Sequence, residues 1–410
     1  MNTMVVGLGK LGLPLAALIA SSGHNVLGYD KSLSLIDSLN FGSFHSSEPG
    51  LMDLLSEKLP NLTFYSSINA DILKDIELIF IVVPTPSLPN GAFSNEFIQK
   101  TISEICPMIK FKTSNTVVCI VSTVMPGSCD GEISKNLKLA SKGSRSRIGL
   151  CYHPEFIALG SVLKNLQSPD FQLLGISDSW VLDIVKPIFE SITKFSVPLK
   201  TMSLLEAEIV KISVNNFITM KISFANSLLQ LSDKFDNINI NSVTEAIGLD
   251  SRIGSKYLTA GAPYGGPCFP RDTRAMAKLF NESSVINSFP EITSNINQNY
   301  LNFLVKKILD QTNKSDTVGI LGVSYKEGTP VIDDSPGVSI GLALLEHGMK
   351  IYSWDDEQAR IPHNSILDLE LDEILRLCDF FVITRGTPYK DLILGKLNDT
   401  NKKYVDLWGL

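Results

Sequence analysis

Long apolar runs are scarce in this 410-residue chain. The most continuous, such as Leu78–Val83, stop far short of the roughly 20 residues a membrane helix needs. The amino terminus, MNTMVVGLG, enters a strand directly, with no charged leader and no small-residue cleavage site. None of the cysteines, at 106, 119, 129, 151, 268 and 378, forms a CxxC pair, so neither a zinc site nor a thioredoxin-type centre is expected. Basic blocks are missing as well. The net charge is -7 with acids and bases interspersed, which argues against a broad nucleic-acid surface. No segment is of low complexity. What these absences leave is the expectation of a soluble cytoplasmic protein with reduced thiols, no metal, and neither nucleic acid nor membrane as partner.

What is present is globular. Hydrophobic residues make up 44% and charged residues 19%, over a length that suggests two or three domains. Buried-type strands are expected at Met4–Val6, Asn25–Tyr29, Leu78–Val83, Thr116–Val121, Arg147–Tyr152 and Phe171–Leu174, with helices between them. That alternation predicts an α/β fold with a doubly wound parallel sheet. The texture changes near Leu199. From Ser203 to Phe235 apolar residues recur at helical spacing, which predicts one very long helix of the kind found inside a protein or a dimer interface. Strands return at Val318–Gly322, Met349–Trp354, Phe380–Thr384 and Tyr404–Leu407. LIASSGHNVLGYD (18–30) and LALLEHGMKIYSWD (342–355) both run helix, glycine stop, strand, acid. This internal repeat predicts a second Rossmann-like domain. The expected division is a dinucleotide-binding domain at 1–198, a central long-helix dimerisation region at 199–312, and a nucleotide-binding domain at 313–410.

Gly7, Gly9 and Gly12 form GxGxxG between the first strand and its helix. The glycines allow a tight turn, close approach of a pyrophosphate, and close packing of the helix, whose N-terminus faces the anion. Lys10 and Leu11 lie inside this turn. Asp30 ends the second strand, where a carboxylate accepts ribose hydroxyls and repels a 2′-phosphate, so NAD is expected rather than NADP. Lys31 beside it is the one feature on the NADP side. Thr85 in VVPTP and Thr123 in VSTVMPG leave strand ends that face the ligand crevice of such a sheet, although ordinary turn chemistry also explains these loops.

The segment Pro263–Asp272, PYGGPCFPRD, is the most informative. A glycine pair before Cys268 leaves room for a ligand. The following residues read as a helix, whose dipole together with Arg271 favours a thiolate. The other five cysteines read as structural. Glu206, Glu208, Lys211 and Asn215 lie on the long helix, and Lys211 and Asn215, four apart, share a face suited to a developing oxyanion or, equally, to solvent. Glu155 in HPEF is a strand-end carboxylate of a kind usually solvated.

Together these segments resemble the UDP-glucose/GDP-mannose dehydrogenase family. The likeness runs through GLGKLGLPLA (7–16), VPTPS (83–87), VSTVMPGS (121–128), HPEFIALGS (153–161), EAEIVKISVNNF (206–217), SRIGSKYLTAGAPYGGPCFPRD (251–272) and GVSYKEGTP (322–330). The resemblance implies an NAD-dependent four-electron oxidation of a nucleotide-sugar C6 alcohol, with UDP-glucose to UDP-glucuronate as the leading case. Such enzymes serve polysaccharide or cell-surface precursor synthesis. By the same resemblance Cys268 is the nucleophile, Asp272 and Lys211 handle protons and charge, and Asn215 is an oxyanion donor. Glu155 acts in substrate contact and thioester hydrolysis, and Thr123 positions water. Arg252 resembles a substrate arginine supplied by a neighbouring subunit, Lys326 a substrate lysine, and Tyr257 and Gly265 fall in the sugar loop. A homodimer or larger homo-oligomer is therefore expected. Three positions depart from the family: Leu159 stands for a second glutamate, Asp333 for an arginine, and the ending YVDLWGL lacks a substrate arginine. Leu159 and the changed ending keep a UDP-N-acetylhexosamine or another nucleotide sugar open as substrate. A one-step hydroxyacid dehydrogenase or a nucleotide-sugar binder are the alternatives of another class.

Overall fold

Two layers of apolar side chains, one on each face of a sheet, explain why the strands read as unbroken hydrophobic runs. Along the first strand Val5 packs into one layer and Met4 and Val6 into the other; Phe80 and Ile79 divide the same way. The computed structural model describes every residue except Lys58, Ala158, Leu159, Asp236, Asn237, Thr387, Pro388, 398–401 and Leu410, with the Asp233 side chain also left out. Leu159, one of the three departures, thus lies outside the described residues. The chain forms two units, Met1–Lys211 and Ile212–Leu410.

The first unit is built on β1 (Asn2–Val6), β2 (Asn25–Tyr29), β3 (Leu62–Tyr65), β4 (Leu78–Ile81), β5 (Thr116–Ile120), β6 (Ile148–Tyr152), β7 (Gln172–Ile176) and β8 (Leu199–Met202). Their order is β3-β2-β1-β4-β5-β6-β7-β8. All neighbours are parallel except β6 and β7, which pair antiparallel through Cys151↔Ile176 and Tyr152↔Gly175. The doubly wound parallel sheet expected from the alternation thus holds except at this pair. Strand direction is set by the connection, here the short helix Val162–Gln167 and its turns, and not by the apolar pattern of the strand.

The second unit carries β9 (Thr317–Leu321), β10 (Lys350–Trp354), β11 (Leu367–Asp368), β12 (Phe380–Ile383) and β13 (Lys403–Asp406), all parallel, in the order β11-β10-β9-β12-β13. The internal repeat holds at atomic detail. Gly7 at φ +89 follows β1, and Gly322 at φ +104 follows β9. A Cβ on Gly12 would lie 1.8 Å from the Gly7 carbonyl oxygen, and one on Gly337 lies 2.1 Å from that of Gly322. Asp30 accepts the Leu8 N–H at 2.9 Å; Asp355 accepts the Val323 N–H at 2.6 Å. What differs is the loop between the paired glycines, short in the first unit and extended in the second to carry Tyr325, Lys326, Asp333 and Asp334.

The helix Leu204–Leu229 contains neither glycine nor proline and opens on a capping box. The Glu206 carboxylate accepts the Ser203 N–H at 2.8 Å, and Ser203 Oγ accepts the Glu206 N–H at 3.3 Å. Among the described residues no helix is long and apolar enough to cross a membrane.

Lys112, buried beside β5, gives the first unit a pH signature. Its ammonium donates to the Ile76 carbonyl and to Thr116 Oγ1, yet burial pulls its pKa down to about 8. A lysine with a folded-state pKa below its unfolded value penalises the folded state while both forms are charged. Stability should therefore rise as pH climbs from about 8 towards 10.5, by up to about 3 kcal/mol. Urea unfolding of wild type and Lys112→Met at pH 7 to 10.5 checks this; parallel pH curves for the two proteins would refute it.

Candidate active site

The glycine turn is shaped for a dinucleotide. The helix Gly12–Ser21 has no side-chain cap at its N-terminus, so its first-turn N–H groups face the turn. A Cβ on Gly9 would meet nothing within 4 Å, so that glycine is not required by packing. Asp30 accepts from Leu8 N through Oδ2 and from Ser32 N through Oδ1, both at 2.9 Å. Each oxygen keeps a lone pair for a ribose hydroxyl. Lys31 turns its ammonium to Glu104 at 3.3 Å. These residues fit NAD, with Lys10 and Leu11 forming the turn between Gly9 and Gly12. Gly9→Ala should leave the melting temperature within about 2 °C of wild type while raising the KM for NAD roughly tenfold or more, since a methyl group there stands where the pyrophosphate approaches. Dinucleotide titrations and thermal melts decide it, and an unchanged KM would count against the assignment.

Beside this turn, the two threonine loops are tied to each other. Thr85 Oγ1 donates to the Thr123 carbonyl at 2.7 Å, and Ser122 Oγ to the Val83 carbonyl at 2.6 Å. The Thr85 hydroxyl thus spends its hydrogen on the loop that presents Thr123. The same loop is gripped by Glu208, wholly buried, whose oxygens accept the Gly127 and Cys129 N–H groups at 2.6 and 2.7 Å. Burial pushes the Glu208 carboxyl up, and the two backbone donors work against that. One turn further along the helix, Lys211 donates to the Glu155 carbonyl at 2.9 Å and lies 5.1 Å over the Phe156 ring. Glu155 is not solvated. Its side chain is 10% exposed, with Oε1 3.0 Å from Nε2 of buried His153.

In the second unit the Cys268 loop is braced from several sides. Asn297 clamps Tyr264 through both N–H and C=O at 2.9 and 3.0 Å. Asn226 holds Gly261 N and Ala262 O, and the Tyr300 hydroxyl donates to the Gly261 carbonyl at 2.8 Å. An irregular buried backbone is thereby satisfied by side chains rather than by a ladder. Gly265 and Gly266 pass so close to the extended loop after β9 that side chains have no room: a Cβ would fall 2.1 Å from Asp334 O and 2.4 Å from the Tyr325 ring, respectively. Burial first, then the charges of Cys268 and Asp333, push the Tyr325 hydroxyl up to about 12. Lys326 extends over that ring at 5.9 Å.

Cys268 itself is the N-cap of the helix Phe269–Glu282 and is exposed, whereas the other five cysteines are buried. Asp272, in the first turn and 2% exposed, accepts the Asn215 amide at 2.6 Å, with Arg271 Nε 3.7 Å from its second oxygen. Asn216 adds a bond from its amide to the Asp272 carbonyl at 3.2 Å. Lys211 and Asn215 share a helix face as expected but take different partners here, Glu155 and Asp272. Tyr257 adopts φ +63 and sets its ring edge-on to Phe269 at 6.3 Å. A non-glycine residue in that region costs of order 1 kcal/mol, a strain typical of ligand loops. Arg252 points outward, its fork on Asp250 at 2.6 to 3.3 Å.

Sequence reasoning did not single out Asn226, Asn297 or Tyr300, and no motif marks them. Glu208 was recognisable only as one acid among several on its helix.

Residues 1–193 match the model of the NAD-binding domain of the UDP-glucose/GDP-mannose dehydrogenase family, and residues 205–299 match that of its central domain. The Bacillus subtilis (strain 168) protein YtcA is 32% identical over 88% of this chain and 83% of its own length. The GDP-mannose 6-dehydrogenase of Pseudomonas aeruginosa is 29% identical over 100% of this chain and 97% of that one. Among solved structures, a UDP-glucose dehydrogenase from the hyperthermophilic archaeon Pyrobaculum islandicum superposes with a TM-score of 0.89 at 27% identity, covering 99% of this chain and 98% of that one.

Proposed function

We propose, because this chain belongs to the UDP-glucose/GDP-mannose dehydrogenase family, that it oxidises the C6 primary alcohol of a nucleotide sugar to a carboxylate, with UDP-glucose as the leading substrate. NAD held at the Gly7–Gly12 turn supplies the hydride acceptor. The chain's own residues do the rest. Lys211 and Asp272 take up and pass the proton leaving the alcohol. The Cys268 sulfur adds to the aldehyde carbon, and the Asn215 amide eases the charge on its oxygen. The covalent adduct retains the aldehyde between the two oxidations. Water positioned by Thr123 then cleaves the thioester, with Glu155 as base.

The observation that carries this reading is the exposed Cys268 thiol at a helix N-cap, on a loop whose glycines allow no side chain, four residues from a buried Asp272 bonded to Asn215. A homodimer fits the long helix, where Ile209, Phe217 and Phe224 remain exposed at 41%, 60% and 48%. Unpartnered apolar side chains along one element favour a second copy as cover. In such an assembly Arg252 would serve a neighbour's substrate, as the family resemblance implies. The reading predicts two NADH per sugar on a panel of UDP- and GDP-sugars. One per sugar would favour a one-step hydroxyacid-type enzyme, and none a binding protein.

A further inference from the structure

Glu155 is a largely buried carboxylate whose compensation comes from an unexpected quarter. Oε1 is sealed from solvent, and among the described residues no oriented hydrogen bond reaches it. The Lys211 ammonium, close by, is engaged with the Glu155 carbonyl. Burial holds the thiol of Cys119 on β5 in its neutral form, so it offers no counter-charge. What faces Oε1 is His153 Nε2 at 3.0 Å.

The imidazole is itself fixed on every side. His153 N continues the sheet by donating to the Ile120 carbonyl at 2.9 Å. The Phe189 ring lies 3.8 Å from the imidazole centroid. Nδ1 lies 2.8 Å from the Leu173 carbonyl oxygen, which can only accept, so Nδ1 carries a hydrogen. A neutral ring would then turn the Nε2 lone pair on a carboxylate oxygen, a repulsive contact. Attraction requires a proton between the two atoms; imidazole is the more basic partner, so that proton belongs on Nε2, and the buried carboxylate then has its counter-charge.

We infer that His153 is a positioning residue for Glu155, its imidazolium serving as the buried counter-ion that pins one carboxylate oxygen and keeps the group ionised. This deepens the proposed role of Glu155 in hydrolysis and rests on that reading. In the step concerned, water adds to the thioester carbon and gives a proton to the unpinned oxygen of Glu155. The carbon–sulfur bond breaks, and its electron pair leaves on Cys268. The products are the sugar carboxylate, the regenerated thiol and one proton.

Two measurements test it. In protein labelled with ¹⁵N-imidazole histidine, the five histidines give few signals, and His153→Asn identifies the one wanted. The inference expects both nitrogens of His153 to carry hydrogen at pH 7 in wild type, and Nδ1 alone in Glu155→Gln. A singly protonated ring in the wild type would overturn it. In turnover of UDP-glucose with NAD, His153→Asn should lower kcat tenfold or more, hold KM within about twofold, and accumulate an acyl adduct on Cys268 seen by intact mass. Undiminished kcat with no adduct would overturn the positioning role. Should wild type itself form no NADH from any nucleotide sugar, the proposed function fails, while the protonation result still decides the counter-ion.

Discussion

Cys268→Ser is expected to stop carboxylate formation, with kcat for the complete reaction falling by roughly three orders of magnitude or more. A serine hydroxyl at the same N-cap is a far weaker nucleophile than a thiolate at pH 7. The fold should be unaffected, because Cys268 is exposed and its sulfur is not part of a core layer. Binding of NAD and of the nucleotide sugar should survive. The first oxidation, which does not use the sulfur, should still yield aldehyde at a low rate. Quantifying NADH, aldehyde and carboxylate in parallel tests this. Normal carboxylate production by the serine variant would end the covalent mechanism.

The second large effect belongs to Gly265. Its added Cβ would stand 2.1 Å from the Asp334 carbonyl oxygen, a main-chain atom that cannot swing aside as a side chain can. The neighbouring Gly266 donates to the Asp333 carbonyl at 2.9 Å, which locks the two loops in register. Gly265→Ala must therefore displace one loop from the other. A cost of about 1–3 kcal/mol is expected from such overpacking. Activity should fall about 100-fold or more, because a shift near 1 Å at the proposed nucleophile is enough. Gly395→Ala is the control: its Cβ meets nothing within 4 Å, and in the helix Tyr389–Leu397 alanine is the better helix former. Circular dichroism melts and steady-state kinetics on both variants separate local collision from general fragility. Wild-type stability and kinetics in Gly265→Ala would show that the bracing is not needed.

Much of this was legible in the residues. Strands buried on both faces announce themselves, and GxGxxG followed by an acid at the second strand end has one economical explanation. The repeat was readable in outline from 18–30 and 342–355, although the paired carbonyl contacts of Gly12 and Gly337 were not. The edge strands β3, β8 and β11 escaped because short, half-exposed segments carry little apolar signal. The direction of β7 escaped because residue pattern does not encode it.

At the site, residue type gave chemistry but not partnership. Helical spacing places Lys211 and Asn215 on one face, yet side-chain rotamers send one to Glu155 and the other to Asp272. Glu155 looked like a solvated strand-end acid, because the imidazole that buries it is two residues away and acts through space. Glu208 holds a loop some 80 positions upstream, a separation at which sequence offers no pairing rule.

The most direct test of the central claim is to quench the wild-type enzyme in acid during turnover of UDP-glucose with NAD and to map the modified peptide by mass spectrometry. The account predicts a nucleotide-sugar adduct on the peptide bearing Cys268, appearing after the first NADH and decaying as carboxylate forms. Full turnover in which Cys268 stays unmodified, and in which alkylating that thiol leaves the rate unchanged, would contradict it.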